Sequence, residues 1–278
     1  MAFITREEAL KRLHAQVDGG KPIVGCGAGT GISAKFAEAG GADLIIIYNS
    51  GRYRMAGRGS LAGLMPYGDA NGIVVEMAAE VLPVVKNTPV QAGVCGTDPF
   101  RLMPVFIKQL KEMGFTGIQN FPTVGLIDGD FRANLEATGM GYDKEIEAVA
   151  IAHKLDMLTT PYVFNREEAK AMAGAGADVL VAHMGLTTAG SLGAAVALSL
   201  EEAVDRVLEL AAAGRSVNPD LMVICHGGPF DEPENVARGM AMMPGIAGFF
   251  GASSIERLPT ERAITAQVEA FKSMALAG

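Results

Sequence analysis

The sequence predicts a (β/α)8 TIM barrel with an extra N-terminal helix, and three observations predict it. Eight short apolar, strand-like runs alternate with eight helical patterns behind a first helix, which is the signature of a parallel sheet wrapped by helices. The connections that follow strands are long, polar and glycine-rich, whereas those that follow helices are short, so one rim is elaborated for binding. No Pro- or Ser-rich linker and no shift of composition divides the 278 residues, a length that one α/β barrel fills. Residues 1–278 therefore read as a single barrel domain.

Each element has its own reason. Arg6 to Val17 is an amphipathic helix with Thr5 at the N-cap and Glu8 three residues on, placed to cover the bottom of the barrel. Strand 1 is Ile23 to Cys26, and its helix runs from Ile32 to Ala39. Strand 2, Leu44 to Tyr48, is a β-branched and apolar run of the kind buried on both faces. A long loop, Asn49 to Asn71, leads to a helix over Ile73 to Val85. Strand 3 is Val90 to Val94, with a helix over Arg101 to Met113. Strand 4 is Gly117 to Phe121; an irregular stretch follows, with a short helix over Phe131 to Ala137 and the main helix over Lys144 to Lys154. Strand 5, Met157 to Tyr162, precedes a helix over Arg166 to Ala173. Strand 6, Val179 to His183, leads through a Gly-, Ser- and Thr-rich connection to Leu200 to Ala213. Strand 7 is Leu221 to His226 with a helix over Pro233 to Met242, and strand 8 is Ile246 to Phe250 with a last helix over Thr260 to Ala275. Gly40, Gly114, Gly174, Gly176 and Gly214 mark helix ends.

Composition narrows the function. A net charge of -8 and no basic stripe argue against nucleic acid as partner. No apolar run approaches the roughly 20 residues of a membrane span, and the charged amphipathic pattern from Met1 to His14 is unlike a signal peptide. Three sparse cysteines, Cys26, Cys95 and Cys225, suit a reducing, cytoplasmic setting. A mean hydropathy of +0.26 in a barrel with a long loop after strand 2 points to a homo-oligomer.

The candidate chemistry gathers behind the strands. Gly25 to Gly31 is a Gly-rich turn in which Gly27 and Gly29 either cradle an anion with backbone N–H groups or only make a tight turn. Ile32 stands where a dinucleotide fingerprint needs glycine. Asn49, Ser50 and Arg52 open a loop with three arginines, of which Arg52 is nearest the strand end. It either clamps a carboxylate or phosphate or bridges subunits. Asp98 is either a general base or the N-cap of the next helix. Gln119 and Asn120 are amides in an apolar run, bound to a ligand or tying barrel layers together, and Tyr162 contacts substrate or packs. His183 and His226, ending neighbouring strands, are candidate acid–base catalysts or else structural histidines. Gly227 and Gly228, with Gly251, Ser253 and Ser254, form the corner where many barrels hold phosphate. No compact Cys or His spacing indicates a metal, and Asp98, Asp128 and Asp130 are the acidic residues placed for a hard cation. No cofactor is predicted.

Four segments carry a resemblance: Asn49 to Leu64, Gln91 to Pro99, Gln119 to Gly125 and Val181 to Thr187. They resemble the phosphoenolpyruvate hydrolase-like TIM-barrel family, which is similar to the C-terminal barrel of the tomato mosaic virus resistance protein. The resemblance covers nearly the whole chain. It implies kinship with phosphoenolpyruvate mutase and isocitrate lyase barrels, which hold Mg2+ through acidic strand ends and work on 2-oxo acids. Here strand 3 ends in Ala92-Gly93-Val94-Cys95 in place of paired aspartates, strand 4 ends in Gln119-Asn120 without a glutamate, and no Lys-Lys-Cys-Gly motif occurs. The expected function is a hydrolase or lyase acting on a small anionic oxo-acid or enol-type substrate at the C-terminal mouth. The alternatives are a non-catalytic ligand-sensing or protein-interaction barrel and, from the corner after strands 7 and 8, a phosphosugar isomerase or synthase.

Overall fold

The computed structural model describes residues 3–195 and 198–276; Met1 and Ala2 of the N-terminal pattern, Val196 and Ala197 of the connection after His183, and the last two residues of the domain lie outside the described residues. The strands are β1 (Ile23–Ala28), β2 (Leu44–Ile47), β3 (Val90–Gly93), β4 (Gly117–Gln119), β5 (Leu158–Thr159), β6 (Tyr162–Val163), β7 (Val179–His183), β8 (Met222–His226) and β9 (Gly248–Gly251). All pair in parallel in the order β5-β4-β3-β2-β1-β9-β8-β7-β6. β5 and β6 are the two halves of the expected fifth strand. Thr160 still donates to the carbonyl of Ile118 at 3.1 Å, but Pro161 has no N–H to give and only accepts, from Val181 at 2.9 Å. The Asp178 amide donates to the carbonyl of Thr159 at 3.1 Å and closes the ring. The fold is the expected TIM barrel.

The helices are α1 (Arg6–Asp18), α2 (Gly31–Ala39), α3 (Asn49–Met55), α4 (Ala70–Val81), α5 (Met103–Met113), α6 (Gly129–Ala137), α7 (Asp143–Lys154), α8 (Arg166–Gly174), α9 (Leu200–Arg215), α10 (Pro233–Met242) and α11 (Arg257–Lys272). α1 lies across the N-terminal ends of the strands. Arg6 forks onto Asp178 just before β7 at 2.6 and 3.0 Å, and Gln16 reaches Asp43 just before β2 at 3.0 Å. Two expectations about local structure are corrected and one is met. Part of the loop from Asn49 is helical: α3 forms there, and Ser60–Leu64 makes a 3-10 turn. Gly214 does not end a helix but lies inside α9, where an added Cβ would stand 2.5 Å from Leu180. Gly114 does end α5, in the left-handed conformation at φ 107°.

The core is continuous from the sheet to the helices. Leu44, Ile45, Ile46 and Ile47 are all buried, because β2 has barrel interior on one face and helices on the other. Inside the barrel, Gln119 donates to the carbonyl of Thr160 at 3.0 Å and the Thr160 hydroxyl donates to Gln91 at 2.8 Å, so these amides tie layers together. α11 departs from the pattern. Only its first residues, Arg257 and Leu258, are buried, and every residue from Arg262 to Leu276 is exposed. The outer face of β9 and β1 is left as apolar grooves.

The tightest approach beneath the mouth is between two glycines. A Cβ on Gly29 would stand 2.0 Å from the carbonyl oxygen of Gly51, so β1 and α3 touch backbone to backbone. Gly29→Ala is expected to cost about 1–3 kcal/mol by overpacking. Gly59→Ala, where nothing lies within 4 Å, is expected to change stability by under about 0.5 kcal/mol. Urea unfolding of the two variants checks the contrast.

Candidate active site

Three strand ends set the floor of the mouth. β7 and β8 pair with His183 opposite His226, and β8 and β9 pair with His226 opposite Phe250. This register puts the two imidazole centroids 4.6 Å apart at 79°. Tyr162 from β6 packs against both, at 4.9 and 5.1 Å. Both histidines line a small cavity of about 30 Å³ with Tyr48, Ser50, Arg54, Tyr162 and Ser253. That is room for a water or two. Ser60, Leu61, Leu126, Leu186 and Thr187 form its roof.

Arg54 is the cation of this cavity. Its side chain is 1% exposed. One guanidinium nitrogen donates to Ser50 at 3.2 Å and another to Glu256 at 3.1 Å, while Nε, although buried, has no partner. The group lies 5.3 Å from the Tyr48 ring centroid. Burial pulls its pKa down, but Tyr48 and Glu256 more than offset this and hold it above the ordinary value. Burial pushes the Tyr162 phenol far up, so it is a neutral hydroxyl. Burial also lowers both histidines. His226 falls to about 4 against the pull of the Phe250 carbonyl, with Arg54 adding to the fall; His183 is lowered further by His226 and Arg206. The pair is neutral at neutral pH.

The other expected site residues fall into three groups. Ser50, Tyr162, His183, His226 and Ser253 are brought together around the cavity, and Gly27 lies beside it, where a Cβ would meet Tyr48, Arg54 and Ala252 at 3.1–3.2 Å. A second group serves the scaffold. Asn49 donates to Gly63 at 2.9 Å, pinning the 3-10 turn. Asn120 grips the Tyr162 backbone, accepting from its N–H at 2.7 Å and donating to its carbonyl at 3.2 Å. Gly228 gives its N–H to Gly185 at 3.0 Å, Gly227 is packed against the Gly185 carbonyl, and Gly251 is a β9 residue in register with Cys26. The third group points away. Arg52 pairs with the exposed Glu76 at 2.6 Å, and Ser254 faces an outer groove. Asp98 is bound by Asn71 at 2.9 Å and Arg101 at 2.6 Å. These bonds and the Phe100 N–H outweigh burial and keep its pKa low, and they occupy both of its carboxylate oxygens. Nor does it cap α5, whose N-cap is Leu102.

The physical reasons are specific. In an extended loop from Asn49, Arg52 would be the arginine nearest the strand end. As a helix, α3 puts Ser50 and Arg54, four residues apart, on the inward face. The anion at the Gly-rich turn is the protein's own: Glu256 accepts from the Gly29 N–H, from Ser33 at 2.6 Å and from Arg54. Glu80 takes the next donor, the N–H of Gly31, at 2.6 Å. Sequence reasoning missed Glu256, and no local pattern marks it. The residues that line the cavity include no carboxylate, and among the described residues no group of three or more His, Cys, Asp or Glu side chains could hold a metal ion. Imidazoles, a guanidinium and hydroxyls are a poor match to Mg2+, which wants oxygen anions.

The buried pair and the surface pair give contrasting expectations. Glu256→Ala strands the Arg54 charge and is expected to cost about 3–5 kcal/mol. Arg52→Ala breaks an exposed pair and is expected to cost at most about 1 kcal/mol. Chemical denaturation of both variants measures the difference.

Comparison with known proteins places this geometry. Residues 8–274 match the family described as phosphoenolpyruvate hydrolase-like. The ToMV resistance protein Tm-1(GCR237) of Solanum lycopersicum is 62% identical over 271 residues, which is 98% of this chain and 36% of that protein. The chain thus spans about a third of the length of that curated relative. Among solved structures, an oxaloacetate acetylhydrolase superposes with a TM-score of 0.63 at 18% identity, over 99% of this chain and 90% of the other. A phosphonopyruvate hydrolase, solved with oxalate and Mg2+, superposes with a TM-score of 0.58 at 16% identity, over 96% and 88% of the two chains. Those two likenesses show the fold. With nearly its whole length matched by one family and by a close relative, the chain belongs to the phosphoenolpyruvate hydrolase-like family of TIM barrels.

Proposed function

We propose that the protein is a hydrolase or lyase that cleaves a bond in a small oxo-acid or enol-type anion held at the C-terminal mouth. The observation that carries this reading is the unpartnered Nε–H of Arg54, buried beside a small cavity that also holds two neutral histidines. A buried donor without an acceptor is costly, and a ligand carboxylate supplies the acceptor. Glu256 already balances most of the Arg54 charge, so the site suits a compact anion better than a polyphosphate. Family membership supports the reaction class, and the names of the structural neighbours point to oxaloacetate and phosphonopyruvate as first substrates to try. The roof residues have to move for such a molecule to enter.

Oxalate is expected to raise the thermal midpoint of the protein. The double variant Arg54→Met with Glu256→Gln, which leaves neither charge stranded, is expected to weaken that binding by at least about tenfold, one lost charged hydrogen bond. Turnover of oxaloacetate or phosphonopyruvate is expected to vanish in His183→Ala and in His226→Ala; turnover that persists in both overturns the reading. Tight oxalate binding without turnover of either compound favours a ligand-sensing barrel instead.

We also propose that the protein is a homo-oligomer assembled through α11. Ile264, Val268 and Phe271 follow helical spacing on a helix exposed along nearly its whole length, and the bare β9–β1 face offers apolar grooves on the same chain. A two-fold pair of copies could cover both at once. The double variant Val268→Asp with Phe271→Asp is expected to halve the mass found by light scattering; an unchanged mass excludes α11 as the contact.

A further inference from the structure

The backbone around the two histidines fixes which nitrogen of each ring carries the proton. His226 Nδ1 lies 2.7 Å from the carbonyl oxygen of Phe250. A carbonyl can only accept, so Nδ1 is protonated and Nε2 of the neutral ring bears a lone pair. His183 is the reverse. Its Nδ1 lies 3.0 Å from the amide nitrogen of Gly185, which can only donate, so Nδ1 bears the lone pair and Nε2 the proton. Both rings line the cavity, their Nδ1 edges are engaged by backbone, and neither Nε2 has a hydrogen-bond partner among the described residues. One cavity therefore receives one nitrogen acceptor and one N–H donor from rings 4.6 Å apart, with the free Nε–H of Arg54 beside them.

We propose that His226 is the base and His183 the hydrogen-bond donor of a metal-free enolisation, in which a 2-oxo carboxylate anchored on Arg54 loses a proton from the carbon next to its carbonyl. The inference rests on the preceding reading that this cavity binds such an anion. His226 Nε2 takes the proton, the C–H electron pair becomes the carbon–carbon double bond, and the carbonyl π pair moves onto oxygen. The Nε2–H of His183 donates to that oxygen as its charge develops. The proton on His226 exchanges with water and returns to carbon, so atoms and electrons balance with no oxidant or reductant. A ligand with one carboxylate, one carbonyl and one acidic C–H uses all three unfilled positions. Ligands without the carbonyl leave the His183 donor unpaired.

The ionisable groups facing the pair are Arg54 from α3, Tyr48 after β2 and Tyr162 from β6, with Glu256 reaching it through Arg54 and Arg206 of α9 acting on His183. Burial and these cations hold both rings neutral, His226 down to about 4. The base should therefore stay competent well below the pH at which an ordinary histidine is lost.

The test is proton NMR of pyruvate in D2O with the intact protein, alongside calorimetry of pyruvate and oxalate binding. The methyl protons of pyruvate are expected to wash out catalytically, at a rate that is flat between pH 5.5 and pH 8. His226→Gln is expected to slow exchange on the order of 100-fold while still binding oxalate. His183→Gln, which keeps an N–H donor, is expected to retain more exchange than His183→Leu. Failure of pyruvate and oxalate to bind sinks the anion site itself. Binding without exchange above the buffer rate sinks this inference and leaves the site standing. A rate that falls with an apparent pKa near 6.5 overturns the neutral pair, because an ordinary solvated histidine titrates there.

Discussion

The mouth of this barrel depends on one buried ion pair. Arg54 and Glu256 are each 1% exposed and meet at 3.1 Å, with Glu256 also accepting from Gly29 and Ser33. Such a pair is stable only where hydrogen bonds complete both partners. Glu256 is completed, whereas Arg54 keeps one N–H open. The pair also ties together three parts of the chain. Arg54 belongs to α3, Gly29 and Ser33 to the turn and helix after β1, and Glu256 to the residue before α11. The Gly29–Gly51 backbone contact is what lets these parts come close enough to share the carboxylate.

The same low-dielectric setting governs the histidines. In water each ring would sample both tautomers and titrate near neutrality. Here the Phe250 carbonyl and the Gly185 amide select opposite tautomers, and burial removes the charged forms. Asn120 supports the arrangement at one remove by holding the Tyr162 backbone against which both rings pack. Asn120 is in turn held by the buried Glu145 at 2.6 Å, whose pKa burial raises to about 8 against the hydrogen bonds from Thr123, Val124 and Asn120.

The start of α11 links the mouth to the outside of the barrel. Next to Glu256, Arg257 donates to the carbonyl of Ala189 at 3.0 Å, and one turn on Glu261 accepts from the Ser191 hydroxyl at 2.7 Å. Those contacts hold the connection that supplies Leu186 and Thr187 to the roof, which Thr188 also ties to Asp231 at 2.5 Å. The helix whose first turn secures the mouth is the one whose residues from Arg262 on are exposed, although Arg262 pairs with Glu232 of its own barrel. Seating α11 on a second copy would bear on the roof through these bonds.

The sequence by itself determined the barrel, since alternating apolar runs and helical patterns admit few other arrangements. It also placed His183 and His226 at adjacent strand ends, because strand length and order follow from local pattern. It singled out the arginine-bearing segment but not the right arginine, since the inward face of α3 becomes visible only once those residues are helical. It could not supply Glu256 as the anion of the Gly-rich turn, a partner more than 200 residues away in the chain. Nor could it show that the N–H of Gly228 is spent on Gly185 or that Asp98 is bound by Asn71 and Arg101. Local pattern records which residues reach the rim. Which of them still have an unfilled hydrogen-bonding position is decided by contacts between distant segments, and those exist only when the tertiary structure forms.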